Sequence, residues 1–175
     1  MVKKILFVML LVIPTMLFAQ NTERGSSAFN KPRGYMGEVV VGGGVSVSGR
    51  DFTDISLSVI NGFRFSPQFA IGLGVGVGAS ICERFYYFRE TTTYYYAPIF
   101  LHLRSDFLNR RVSPFVALNF GLAISGLPDD DDDTFIEIIL GCSFNVGQRH
   151  RMSIGLNGRN AVLGGSAGLS VGFSW

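Results

Sequence analysis

From Phe69 to Ile81 the chain reads FAIGLGVGVGASI, with a small residue at every second position. A period of two is the period of a strand with two different faces. One face is Phe69, Ile71, Leu73, Val75, Val77, Ala79 and Ile81, and the other is Ala70, Gly72, Gly74, Gly76, Gly78 and Ser80. A dinucleotide-binding glycine loop fails on spacing, because G-x-G-x-x-G from Gly72 needs a third glycine where Val77 stands. No helical period follows. An apolar face opposite a tiny, weakly polar one is unusual for a soluble sheet, so the stretch narrows the fold before anything else is considered.

The same alternation recurs along the chain. Eight runs of period two span roughly residues 35–48, 53–65, 69–81, 93–105, 113–125, 135–146, 150–158 and 166–175, and no long segment has a helical period. Each run is close to the ~9–11 residues with which a tilted strand crosses a bilayer. The connections alternate in character. SPQ, DFLNRRV and GQRH are short turns, whereas GRDF, CERFYYFRETTT, GLPDDDDDT and RNAVLGG are richer in charge, aromatics or length. This is the layout of a membrane barrel with periplasmic turns at one end and outer loops at the other. An even strand count returns both termini to the turn end.

The distribution of charge separates a membrane barrel from a soluble one. The outward sets, such as Ile55, Leu57, Val59 in the second run and Ile136, Ile138, Leu140 in the sixth, carry no formal charge. The opposite faces hold Glu38, Arg64, His102, Arg104, Glu137 and Arg151 among glycines, serines and asparagines. A lipocalin-like barrel has the reverse sense, with an apolar cavity and a charged exterior. The predicted fold is therefore all-β, an eight-stranded antiparallel up-and-down transmembrane β-barrel with charges in the lumen and the apolar band on lipid. Inward glycines leave room in a narrow interior for arginines and aromatics from other strands, and ease the curvature of closing eight strands.

The N-terminus, MVKKILFVMLLVIPTMLFAQ, has two lysines, an apolar run broken by Pro14, and a small residue at Ala19. That is a secretory signal peptide over 1–19, cleaved before Gln20, and too short and interrupted for a membrane anchor. Two of the fifteen basic residues fall in the leader, which leaves thirteen against thirteen acidic ones. No basic stripe survives, so a nucleic-acid partner is not expected. Residues 20–33 read as a polar periplasmic tail and 34–175 as one barrel domain. Cys82 and Cys142 are too few for a disulfide framework, and no bridge is expected.

These features resemble the small outer-membrane β-barrel proteins of Gram-negative bacteria, of the OmpX and OmpA-barrel type. The resemblance covers residues 34–175 and rests on the architecture, on RFSPQFAIGLGVGVG and on the terminal GLSVGFSW. It implies that Leu169, Val171, Phe173 and Trp175 are read by the barrel-assembly machinery as an insertion signal, although Ser170 stands where glycine is familiar. It also implies contact with outer-membrane lipid and lipopolysaccharide. No peptidoglycan-binding extension is expected after Trp175. The resemblance says little about activity, because this fold hosts adhesins, enzymes, pores and structural proteins alike.

The inward charges are expected to form an ion network that fills the lumen, with Glu38 pairing Arg64, Arg104 or Arg151, since an unpaired buried charge is costly. The acidic loop Asp129, Asp130, Asp131, Asp132 and Asp133 lacks the glycine and glutamate of a calcium loop, as Thr134 and Leu140 stand there, so it is read as a solvated outer loop first and as a loose divalent-cation binder near lipopolysaccharide phosphates second. The aromatics Phe85 to Phe88 and Tyr94 to Tyr96 are read as an interfacial girdle first and as recognition anchors second. A lipid A deacylase arrangement, with histidine and serine two apart on one strand, is missing: His102 and Ser105 are three apart, as are His150 and Ser153. No cofactor, metal or catalytic site is expected. The leading functional expectation is a structural or surface-interaction role with an extracellular partner through the loops. A narrow channel for ions or small solutes comes second, and a lipid-modifying enzyme third.

Overall fold

A computed structural model describes residues 33–47, 52–86, 88–125, 133–146, 150–161 and 164–175, without the side chains of 83–90, Asp133 and Ala161. The leader, nearly all of the tail, and Asp129 to Asp132 lie outside the described residues. Eight strands follow in order: β1 (Gly34–Ser46), β2 (Phe52–Arg64), β3 (Phe69–Tyr86), β4 (Phe88–Asp106), β5 (Val112–Ser125), β6 (Asp133–Val146), β7 (His150–Ala161) and β8 (Gly164–Ser174). Each pairs antiparallel with the next, and β8 pairs with β1 to close an eight-stranded barrel. Closure leaves the wall without an edge, which is what allows a sheet to stand in lipid. At the seam Gly37 and Trp175 exchange backbone hydrogen bonds of 3.1 and 3.0 Å. The Trp175 ring lies over Gly37, where a Cβ would collide with it.

The wall has the predicted sense. Leu73 and Leu156 are 68% and 66% exposed on the outer surface, whereas Ala70, Ile60 and Asp106 are fully buried inside. Asn61 is a polar group on the outward face, and Tyr35 satisfies it by donating a 2.5 Å hydrogen bond to Oδ1. Exposed aromatics Tyr35, Phe63, Phe65, Phe69, Phe173 and Trp175 gather at the turn end, on or just past the adjacent strands β8, β1, β2 and β3. The β2–β3 turn is held by Ser66, whose Oγ accepts the N–H groups of Gln68 and Phe69.

Two connections differ from the expectation. β3 and β4 remain paired as far as Tyr86 and Phe88, so CERFYYFRETTT is the top of a long ladder rather than a loop. β7 and β8 extend to Ala161 and Gly164, leaving residues 162–163 between them. Gly164, at φ +121°, takes the chain into β8 in a conformation that side chains disfavour. The opening glycine run is explained by its neighbour in the sheet. Gly74 and Gly78 face Phe100 and Tyr96 across the β3–β4 ladder, and a Cβ at either would strike the ring. Glycine on one strand makes the space that an aromatic on the next strand fills.

Candidate functional site in the lumen

The interior side chains come from alternate positions of all eight strands, and their charges sort into two clusters along the barrel axis. At the turn end the centre is Asp106, the last residue of β4. Its carboxylate receives Arg64 from β2 at 3.0 Å, Arg151 from β7 at 2.5 Å and Arg104 from its own strand at 3.5 Å. Ser143 of β6 adds a hydrogen bond of 3.1 Å. Arg104 reaches across to Glu38 of β1 at 2.7 Å, and its guanidinium carbon lies 4.0 Å above the Phe115 ring. Of the three arginines expected as partners for Glu38, Arg104 is the one that meets it. Arg64 and Arg151 turn to Asp106 instead, because that carboxylate sits level with the low ends of β2 and β7.

At the hairpin end Arg159 of β7 lies between two carboxylates, 2.6 Å from Asp54 and 2.5 Å from Glu137. Neutral groups complete the shell. Tyr96 Oη and Ser80 Oγ donate to Asp54 at 2.9 and 3.1 Å, and Asn119 and Asn157 donate to Glu137 at 2.7 and 3.2 Å. His102 and Asn119 stand between the clusters, 2.7 Å apart. Glycines make room here too: a Cβ at Gly42 would sit 3.1 Å from Arg159, and one at Gly172 would press on Glu38 at 2.9 Å. Apolar side chains, with Phe100 and Phe135 ring to ring at 5.3 Å, fill the space beside the polar chain.

Sequence reasoning missed Asp54, Asp106, Arg159 and Tyr96. Tyr96 was expected in the girdle with its neighbours, yet it is 3% exposed and bonded inside the lumen. With these added, the buried charged residues among those described are four carboxylates and four arginines. Leu169, Val171, Phe173 and Trp175 all point outward and are exposed on the wall. Of the acidic run only the backbone of Asp133, which opens β6, is described.

Chemically, the arrangement holds charge in place. His102 is bonded to an asparagine, while His150 and Ser153 lie on opposite faces of β7, the first exposed and the second buried. No group of three or more His, Cys, Asp or Glu among the described residues is placed to hold a metal ion. Both cysteines are free thiols.

No protein-family model matches the chain, and no curated protein matches it in sequence. Solved structures do match. Neisserial surface protein A superposes with a TM-score of 0.53 at 17% identity, over 86% of this chain and 98% of that one. The N-terminal β-barrel domain of OprF from Pseudomonas aeruginosa gives a TM-score of 0.49 at 16% identity, over 82% of this chain and 100% of that one. A designed transmembrane β-barrel gives 0.46 at 14%, over 83% and 97%. At such identities a likeness concerns the fold alone, and only the first superposition is close enough to be used. Together with the closed antiparallel wall, it identifies this chain's fold as the eight-stranded barrel of the small outer-membrane proteins, of the OmpA and OmpX type.

Proposed function

We propose that this chain is an outer-membrane protein that works at the cell surface through its β3–β4 hairpin, with the lumen held shut by the paired side chains. The observation that supports this most is the height of the hairpin. Among the described residues, β2 pairs with β3 as far as Cys82 and β5 pairs with β4 from Tyr96, while β3 and β4 stay paired with each other to Tyr86 and Phe88. On this hairpin Thr91, Thr92, Thr93 and Tyr95 are exposed. Exposed segments raised on a rigid scaffold are where recognition residues concentrate.

The rest of the reading follows from this placement. The leader 1–19 directs export, residues 20–33 remain in the periplasm, and Leu169, Val171, Phe173 and Trp175 serve the assembly machinery. The apolar wall meets lipid and, in the outer leaflet, lipopolysaccharide beside the acidic run Asp129–Asp133.

Two measurements test the proposal. Fractionation of cells should place the mature chain, beginning at Gln20, in the outer membrane, and Thr92→Cys in a Cys82→Ser, Cys142→Ser background should react with an impermeant maleimide on intact cells. Recovery from the soluble periplasm, or labelling only after lysis, overturns the topology. Planar-bilayer recording should show no steady conductance, and discrete open steps in the unmodified protein would turn the reading to a channel.

A further inference from the structure

Where the two charge clusters meet, two buried polar atoms face each other without a bond. Glu38 Oε2 and His102 Nε2 are 4.0 Å apart, and neither has a hydrogen-bond partner. The other side of the ring fixes which proton is at issue. Arg159 donates twice to Glu137 Oε1, so Glu137 is an ionised acceptor. Asn119 must then present its N–H₂ to Glu137 Oε2, at 2.7 Å, which turns its carbonyl oxygen toward His102 Nδ1, also at 2.7 Å. Two acceptors cannot make that contact, so Nδ1 carries hydrogen. A neutral ring would therefore aim a bare lone pair at the Glu38 carboxylate, leaving two acceptors opposed in a space both side chains occupy at 2% exposure or less.

We propose that Glu38 and His102 form a proton-binding site in the lumen. One proton, taken from solvent, occupies Nε2 and makes the ring an imidazolium that donates to Asn119 through Nδ1 and to Glu38 through Nε2. The groups facing the ring are Glu38 from β1, Asn119 from β5, Glu137 from β6 and Arg104 on its own strand, while β3 opposes it with Gly72. Arg104 Nη1, at 2.7 Å from Glu38 Oε1, keeps the carboxylate ionised, so the proton stays on the ring. With the proton bound, the pair closes from 4.0 Å to hydrogen-bond length, and the turn-end and hairpin-end clusters become one continuous chain of hydrogen bonds. Its loss in alkali cuts the chain at this point. The consequence for closure rests on the proposal that the network seals the lumen; the site itself does not.

The chain has only two histidines, His102 and His150, which makes the site readable by ¹⁵N NMR of histidine-labelled protein in lipid nanodiscs. His150→Asn identifies the His102 signals. At pH 7.5 both His102 nitrogens should show imidazolium shifts. Glu38→Gln should convert His102 to the neutral ring with hydrogen on Nδ1 alone. If that variant does not fold, His150→Asn alone decides: both His102 nitrogens should carry hydrogen in the folded barrel at pH 7.5. A bare Nε2 at pH 7.5 in the folded barrel overturns the site, and means that a water molecule joins the pair. Conductance recorded on the same sample keeps the two readings apart. A doubly protonated ring in a conducting barrel supports the site and defeats the seal, whereas a neutral ring in a closed barrel defeats the site alone.

Discussion

The two ends of the lumen hold opposite surpluses of charge and stabilise them differently. At the turn end three arginines face two carboxylates, Glu38 and Asp106. At the hairpin end two carboxylates, Asp54 and Glu137, share one arginine. An anion accepts hydrogen bonds from any donor, so the hairpin end can draw on a phenol, a serine and two asparagines. A guanidinium only donates, and its compensation must come from oxygen atoms with negative charge to spare. The turn end therefore depends on one residue, Asp106, and the hairpin end spreads its dependence over several.

The largest effect should follow from removing that residue. Asp106→Asn keeps the shape but leaves Arg64 and Arg151 without an anion and Arg104 with Glu38 alone. Breaking buried ion pairs from one side costs about 3–5 kcal/mol, which urea unfolding in lipid vesicles can measure. A loss below about 1 kcal/mol would mean that the three arginines find other acceptors, and the asymmetry between the ends would disappear.

Val75→Arg sets the scale for an arginine with no partner at all. Val75 is outward on β3, between Gly74 and Gly76, so the new guanidinium enters lipid through the same wall that shields the others. The expected cost is about 2–4 kcal/mol near the bilayer midplane. A silent Val75→Arg would show that this surface is not in lipid.

The strands and their faces were legible in the sequence because a lipid-facing wall forbids charge and a narrow lumen collects it. What escaped was at the ends of the runs. Asp106 and Arg159 each lie one residue past a predicted end and keep the inward parity of Arg104 and Arg151. The alternation fades there because outward residues at the rim, Ser105 and Asn160, no longer need to be apolar, although the strand continues. Asp54 was inside its run with the parity of Arg64 and could have been counted. Tyr96 was hidden among three consecutive tyrosines, a residue type that suits either face. Partner choice was not legible at all. Arg64 lies beside Gly34 in the β1–β2 ladder, four residues below Glu38, while barrel closure carries Arg104 across to it.

Arg159→Gln tests the hairpin end on the same assay. Asp54 and Glu137 lose their shared cation but keep Tyr96, Ser80, Asn119 and Asn157 as donors. The expected loss is about 1–3 kcal/mol, the range for a buried polar group deprived of part of its hydrogen bonding. If it exceeds the loss from Asp106→Asn, the ranking of the two ends is inverted.

The finest comparison uses two serines in matching roles. Ser80 Oγ donates to Asp54 and Ser143 Oγ to Asp106, both at 3.1 Å and both buried. By distance alone, alanine at either position should cost the same. By charge surplus it should not. Asp54 shares its one guanidinium with Glu137 and relies on neutral donors for the rest, so Ser80→Ala should lower stability by about 1 kcal/mol, a typical net value for one hydrogen bond. Asp106 is oversupplied by three guanidinium groups, and the single Ser143 hydroxyl proton is shared between Asp106 and the Ser113 carbonyl, also 3.1 Å away, so Ser143→Ala should cost under about 0.5 kcal/mol. Paired urea titrations of the two variants resolve that difference, and equal losses would show that distance, rather than the sign of the local charge, sets the worth of a hydrogen bond in this lumen.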